Sequence, residues 1–184
     1  METSAVLTKT KWSVDHAHSE IGFRVKHLVV ANVRGTFNEY DASIETNGDD
    51  FMSAKIDFWL NPASVDTHDE KRDGHVRSAD FFDVEKFNRL TFTSDTCKKL
   101  SSDGHYELSG DLTIKGITKT IKLDIEYAGI VKDPWGNTKA AFTINGKINR
   151  KDYGLNWNAA VEAGGVLVSE DVWINCDIQL LKNA

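Results

Sequence analysis

The sequence predicts an all-β fold, an eight-stranded antiparallel barrel with a short helical insertion acting as a lid, and three observations carry that reading. Apolar and polar residues alternate with period two over long stretches, the signature of strands with one buried and one wet face. The connections between them are rich in Gly, Asn, Asp and Ser, which suits tight hairpins between antiparallel neighbours. A single charged stretch interrupts this pattern. Eight such strands leave two exposed edges unless the sheet closes, so a barrel is favoured, although alternation alone leaves an open two-sheet sandwich as the alternative.

In chain order the strands are expected at 20–29, 33–46, 54–60, 90–99, 105–115, 119–130, 138–149 and 172–180. The sixth is the clearest: Ile121, Leu123, Ile125 and Tyr127 alternate with Lys122, Asp124 and Glu126. The last repeats the design, with Val172, Ile174, Cys176, Ile178 and Leu180 on one face. After Asn61-Pro62 the run SVDTHDEKRDGHVRSADFFD has no alternation, and Asp66 or Thr67 stands where a helix cap would precede Glu70. A helix is therefore expected over 67–78, with Phe81 and Phe82 returning the chain to the core. Residues 1–11 are read as an N-terminal extension and 12–184 as one domain.

Composition bounds the function. The 184 residues are 40% hydrophobic and 10% aromatic, enough for one full core. With 22 Lys and Arg against 28 Asp and Glu, a net charge of −6, the chain has no surplus to neutralise phosphates. Nucleic acid and anionic membranes are poor partners on that count. No apolar run reaches the roughly 18 residues of a membrane span, and METSAVLTKTKW lacks a signal-peptide pattern, so a cytoplasmic location is expected. Cys97 and Cys176 are expected to be single thiols, Cys176 as a small core residue.

At eight strands a barrel is either filled by side chains or holds one small ligand. Strands of this length give a height of roughly 25–30 Å. Inward positions rich in Ile, Leu, Val and Phe, with Gly110, Ala140 and Gly146 between them, favour an apolar cavity over a solid core. Such a lining takes a long hydrocarbon chain and leaves a sugar or nucleotide without replacements for its water.

Four stretches, WSVDHAHSEIGFRVKHLVVANVRGTF (12–37), SADFFDVEKFNRLTFTS (78–94), GDLTIKGITKTIKL (110–123) and INRKDYGLNW (148–157), together resemble the YceI-like family. The resemblance spans nearly the whole chain. It implies a lipocalin-like barrel whose cavity holds a polyisoprenoid, such as an isoprenoid quinone or polyprenyl derivative, or a fatty amide or acid, for transport, storage or sequestration. No catalysis is implied, and no cofactor besides the bound lipid. The matching stretches nominate Phe23, Val25, Phe81, Phe82, Phe92, Leu112, Ile114, Ile121, Leu123 and Trp157 as lining residues. Many relatives are periplasmic or secreted, whereas this N-terminus shows no leader, and Asn88 stands where the family often has Pro.

Other candidates compete with that reading. Arg77 and Arg150 flank apolar strands or the lid, where a planar guanidinium would suit a carboxylate or diphosphate headgroup; each could equally pair with nearby acids and fix a loop. His16 and His18, with His68 and His75 near Asp66, Asp69, Glu70 and Asp73, could form a metal site if the segments meet, although acid-rich helices are usually just solvated. The alternative of an acid–base enzyme acting on an apolar substrate rests on His18, Asp80 and Arg150, a trio with no spacing argument behind it. Among Trp12, Trp59, Trp135, Trp157 and Trp173, Trp59 and Trp173 are expected to face outward, which suggests a homodimer or membrane docking, with packing under a loop as the alternative.

Overall fold

In the computed structural model, residues 6–162 and 164–184 are described. Eleven strand segments assemble into eight long strands. β1 (Lys9–Val14) and β2 (Glu20–His27) run as one kinked strand along the edge of β11 (Val168–Lys182), β2 facing its first part and β1 its last. Their partners β4 (Tyr40–Asn47) and β3 (Ala31–Phe37) form the second kinked strand. The third is β5 (Asp50–Leu60) with β6 (Val65–Asp66). β7 (Leu90–Lys99), β8 (His105–Ile114), β9 (Ile117–Lys132) and β10 (Thr138–Asn149) follow without a break, and β11 closes the sheet on β1 and β2. Every pairing is antiparallel, and the pairing of β11 with β1 and β2 closes the up-and-down barrel.

Alternation sets which face is buried. Leu123 and Ile125 are buried while Lys122, Asp124 and Glu126 are exposed, and Cys176 and Leu180 are buried on β11. The small inward residues are not the source of the hollow, contrary to the sequence reading. A Cβ on Gly110 would lie 2.5 Å from Cζ of Phe92, and one on Gly146 the same distance from a methyl of Leu123, so large neighbours already occupy that space. Ala140 is fully buried.

Three boundaries depart from expectation. β1 opens at Lys9, inside the stretch set apart as an extension, because Lys9, Thr10 and Lys11 pair with β4. The segment 33–46 is interrupted between Phe37 and Tyr40, level with the kinks at His16–His18 and Pro62–Ser64. The helix α1 spans Glu70–Arg77 and is capped by Asp69, whose carboxylate accepts from the Arg72 amide at 3.0 Å. Thr67 does not cap it, because its amide (2.9 Å) and hydroxyl (2.5 Å) both donate to the buried carboxylate of Asp73.

The connections sort by end. The β4–β5, β7–β8 and β9–β10 turns and both chain termini lie at one end, hereafter the floor. The β2–β3 hairpin, the insertion carrying α1, the β8–β9 turn and the long β10–β11 connection lie at the other, the mouth.

Candidate functional site

The barrel is hollow. Its interior holds a cavity of about 450 Å³, within the range of small-molecule sites, whose wall is the inward face of the strands. Of the residues nominated from sequence, Phe23, Val25, Phe81, Phe82, Phe92, Leu112, Ile114, Ile121, Leu123, Trp157 and Arg150 line it. Arg77 does not. Its Nε donates to the Ala63 carbonyl at 2.9 Å, one Nη to Val65 O at 3.3 Å and the other to Glu70 at 3.2 Å, so it fixes the insertion to the third strand.

Aromatic rings close the floor. Phe51 sits 4.9 Å from both Trp12 and Phe142, Tyr127 stacks on Phe142 at 5.0 Å, and the Trp12 indole donates to Thr46 Oγ1 at 2.9 Å. Burial raises the Tyr127 hydroxyl above its ordinary range, so it stays neutral in this setting. At the mouth a second group meets: the His75 ring lies 4.5 Å from Trp157 and 5.1 Å from Phe81, and Phe82 packs edge-on to Phe37 at 5.9 Å. All of these but Phe37 of β3 come from the insertion and the β10–β11 connection, which makes the insertion a roof element as the sequence suggested.

Few polar groups reach the wall, and the arginines and histidines among them gather at the mouth. Arg150 is 2% exposed and donates to four main-chain carbonyls: Ser169 at 2.8 Å, Trp157 at 2.9 Å, Val168 at 3.3 Å and Leu155. Among the described residues no carboxylate pairs with it, and burial pulls its pKa below the usual value while Glu170 opposes that shift. The guanidinium therefore ties the β10–β11 connection to the start of β11. His75 lines the cavity with Nε2 2.8 Å from Asp80. Arg72 and Thr67 join it, with Arg72 Nε donating to Thr67 Oγ1 at 2.8 Å. From sequence His75 is only a metal-ligand candidate; the structure presents it from the last turn of α1 as a wall residue.

The other candidates do not assemble. His16 meets the Tyr40 carbonyl at 2.9 Å, His18 meets Asp15 at 2.9 Å, and His68 stands by Asp66 at 3.6 Å. No group of three or more His, Cys, Asp or Glu side chains gathers among the described residues. Asp80 bonds His75 rather than His18, so the acid–base trio has no common centre. Trp59 and Trp173 face outward, but each is half-buried under a guanidinium, Arg89 at 4.2 Å and Arg24 at 4.3 Å. Cys176 and Cys97 both line the cavity; burial pushes the Cys176 thiol up to about 11 and raises Cys97 as well. No described helix is long and apolar enough to cross a membrane.

Comparison with known proteins places this architecture. The model of the YceI-like domain matches residues 12–180. A UPF0312 protein of Staphylococcus aureus is 39% identical over 164 residues, covering 89% of this chain and 92% of the relative. One from Staphylococcus epidermidis is 40% identical over the same length. Among solved structures, a Campylobacter jejuni YCEI protein superposes with a TM-score of 0.74 at 33% identity, covering 92% of this chain and 96% of that one. A polyisoprenoid binding domain from Saccharophagus degradans implicated in plant cell wall breakdown shares the fold with a TM-score of 0.67 at 17% identity, covering 94% and 98%.

Proposed function

The chain belongs to the YceI-like family, and from that premise we propose that it carries or sequesters a long-chain apolar lipid, a polyisoprenoid or a fatty amide or acid, inside the barrel. The observation that bears this reading is the hollow itself, about 450 Å³ walled almost wholly by hydrocarbon. Each methylene moved into such a lining gains about 0.8 kcal/mol, so a dozen gain about 10 kcal/mol before the loss of ligand motion is subtracted. The floor rings block one end, so the chain enters tail first and leaves its headgroup at the mouth beside His75 and Arg150. Most donors of Arg150 already serve carbonyls, which suits a neutral or weakly polar headgroup better than a diphosphate. The polyisoprenoid binding described for the Saccharophagus domain supports this class of ligand.

Native mass spectrometry of protein purified without detergent, followed by organic extraction, should show one lipid per chain. Ala42 lines the cavity, and Ala42→Trp should abolish uptake of a fluorescent prenyl chain while the protein stays folded. Protein that is empty as isolated and takes up neither prenyl nor fatty chains in titration would sink the proposal.

A further inference from the structure

The β2–β3 hairpin ends in three consecutive apolar residues that the fold leaves in water: Leu28, Val29 and Val30 are 45%, 66% and 86% exposed. Leu28 and Val29 also have φ of 51° and 67°, a left-handed conformation that suits glycine or asparagine and that a β-branched side chain resists. Neither exposure nor strain helps the barrel stand. The turn is braced by the β10–β11 connection, since the Leu28 amide donates to the Leu167 carbonyl at 2.9 Å, and Val166 beside it is 44% exposed. These residues border the mouth, for Val25, His27, Val33 and Leu167 next to them line the cavity.

The charge around this tip runs against that of the whole chain. Between Glu20 and Glu39 there is no carboxylate, while Arg24, Lys26 and Arg34 all lie on the hairpin. Arg24 and Arg34 stand directly opposite one another, a like-charge pair that costs stability in a sheet. None of the three forms an ion pair among the described residues; Arg24 and Lys26 instead flank the Trp173 ring. Nearby acids are mostly occupied, Glu170 by Lys151 at 2.8 Å and Asp171 by Lys147 at 3.4 Å, with Glu162 exposed in the adjoining loop. At the floor, by contrast, the exposed Val131 and Trp135 share their end with Asp49, Asp50, Asp103 and Asp133.

We propose that the β2–β3 tip docks the protein on an anionic phospholipid surface, Leu28, Val29 and Val30 entering the headgroup layer while Arg24, Lys26 and Arg34 meet the phosphates, so that the mouth opens toward the membrane. Apolar insertion and cationic attraction together give reversible binding that neither gives alone. An aromatic ring framed by cations is the kind of side chain found at that depth. Passage of a lipid between bilayer and cavity rests on the proposed function, whereas the docking itself does not.

The test is flotation of the full chain with phosphatidylcholine vesicles containing, or lacking, one part in four phosphatidylglycerol. The wild type should bind the anionic vesicles about tenfold better than the neutral ones and lose this advantage at high salt. The variant L28N/V29G/V30S, which suits the backbone better than the native residues, should melt no lower than the wild type and bind at least about tenfold less. R24Q/K26Q/R34Q should bind both vesicle types alike. Failure of the wild type to bind either, equal binding by the tip variant, or equal binding of neutral and anionic vesicles by the wild type would each overturn the proposal. Uptake of a fluorescent fatty chain in vesicle-free solution is measured beside it: docking without uptake leaves this proposal standing and removes the carrier function, and uptake without docking does the reverse.

Discussion

The floor of the cavity is built from Trp12, Phe51, Tyr127 and Phe142, rings carried on β1, β5, β9 and β10, whereas the roof is built from His75, Phe81 and Trp157, carried on a helix and on connections outside the main ladders. Trp12 and Phe142 each pair with a strand on both sides, Trp12 with Lys182 and Ile44 and Phe142 with Ile178 and Tyr127, and those ladders open only with the barrel. A roof residue is held by a few polar side chains: Arg150 on four carbonyls, Asp73 on Thr67, Arg77 on Ala63 and Val65. Local opening follows the weaker support, so exchange of a guest should pass through the roof while the floor stays shut.

Truncating one ring at each end gives the widest separation. Trp12 is 2% exposed and hydrogen-bonded, so Trp12→Ala should lower unfolding free energy by about 4 kcal/mol in a denaturant titration. Trp157→Ala, at a half-buried site, should cost only about 1 kcal/mol yet speed release of a bound fluorescent chain. Equal costs, or faster release from the floor variant alone, would remove the distinction.

Arg150→Met sharpens it from the roof side. The substitution keeps an apolar stem but strands four carbonyls, and should cost about 3 kcal/mol. Hydrogen exchange should then quicken in residues 155–168 well before it does in β1 or β9. Uniform quickening across the barrel would mean that the roof is not an independent unit.

The walls and the insertion as a roof were legible in the sequence, whereas the floor, with Trp12 on β1 and Phe51 outside the expected 54–60 strand, and the kinks were not, for a physical reason. Ile121, Leu123 and Ile125 against Lys122, Asp124 and Glu126 report a sheet with one wet face, and each residue's neighbours in the chain suffice to read it. The kinks depend on bonds between distant residues: the Glu39 amide to Ser64 Oγ at 3.0 Å, His16 to the Tyr40 carbonyl, and the Tyr40 hydroxyl to the Ser19 carbonyl at 2.9 Å. Local pattern has no access to those. The helix start moved from Thr67 to Glu70, with Asp69 as its cap, for the same reason, since Thr67 is taken by Asp73. Arg77 and Arg150 look alike in sequence, each an arginine beside acids, and only the fold sends one to the outer bracing of the insertion and the other into the wall.

The smallest expected effect concerns the wall between the two closures. Cys176 lines the cavity with its thiol pushed up to about 11 by burial, against an ordinary value near 9. A group whose folded pKa is raised contributes stability that is intact below the unfolded value and is lost as pH climbs through the folded one. The unfolded chain therefore ionises first, and unfolding should become easier by about 1 kcal/mol at pH 10. Cys176→Val should remove that part of the alkaline slope. Tyr153, pushed up to about 12 by burial, sets in only above pH 10 and so leaves the lower part of the window to the thiols, Cys176 and Cys97, whose pKa burial also raises. The same thiol tells roof from floor at pH 8: a small thiol reagent should label Cys176 faster in Trp157→Ala than in the wild type, because the reagent enters where the guest does. Faster labelling in Phe51→Ala with no change in Trp157→Ala would place the entrance at the floor.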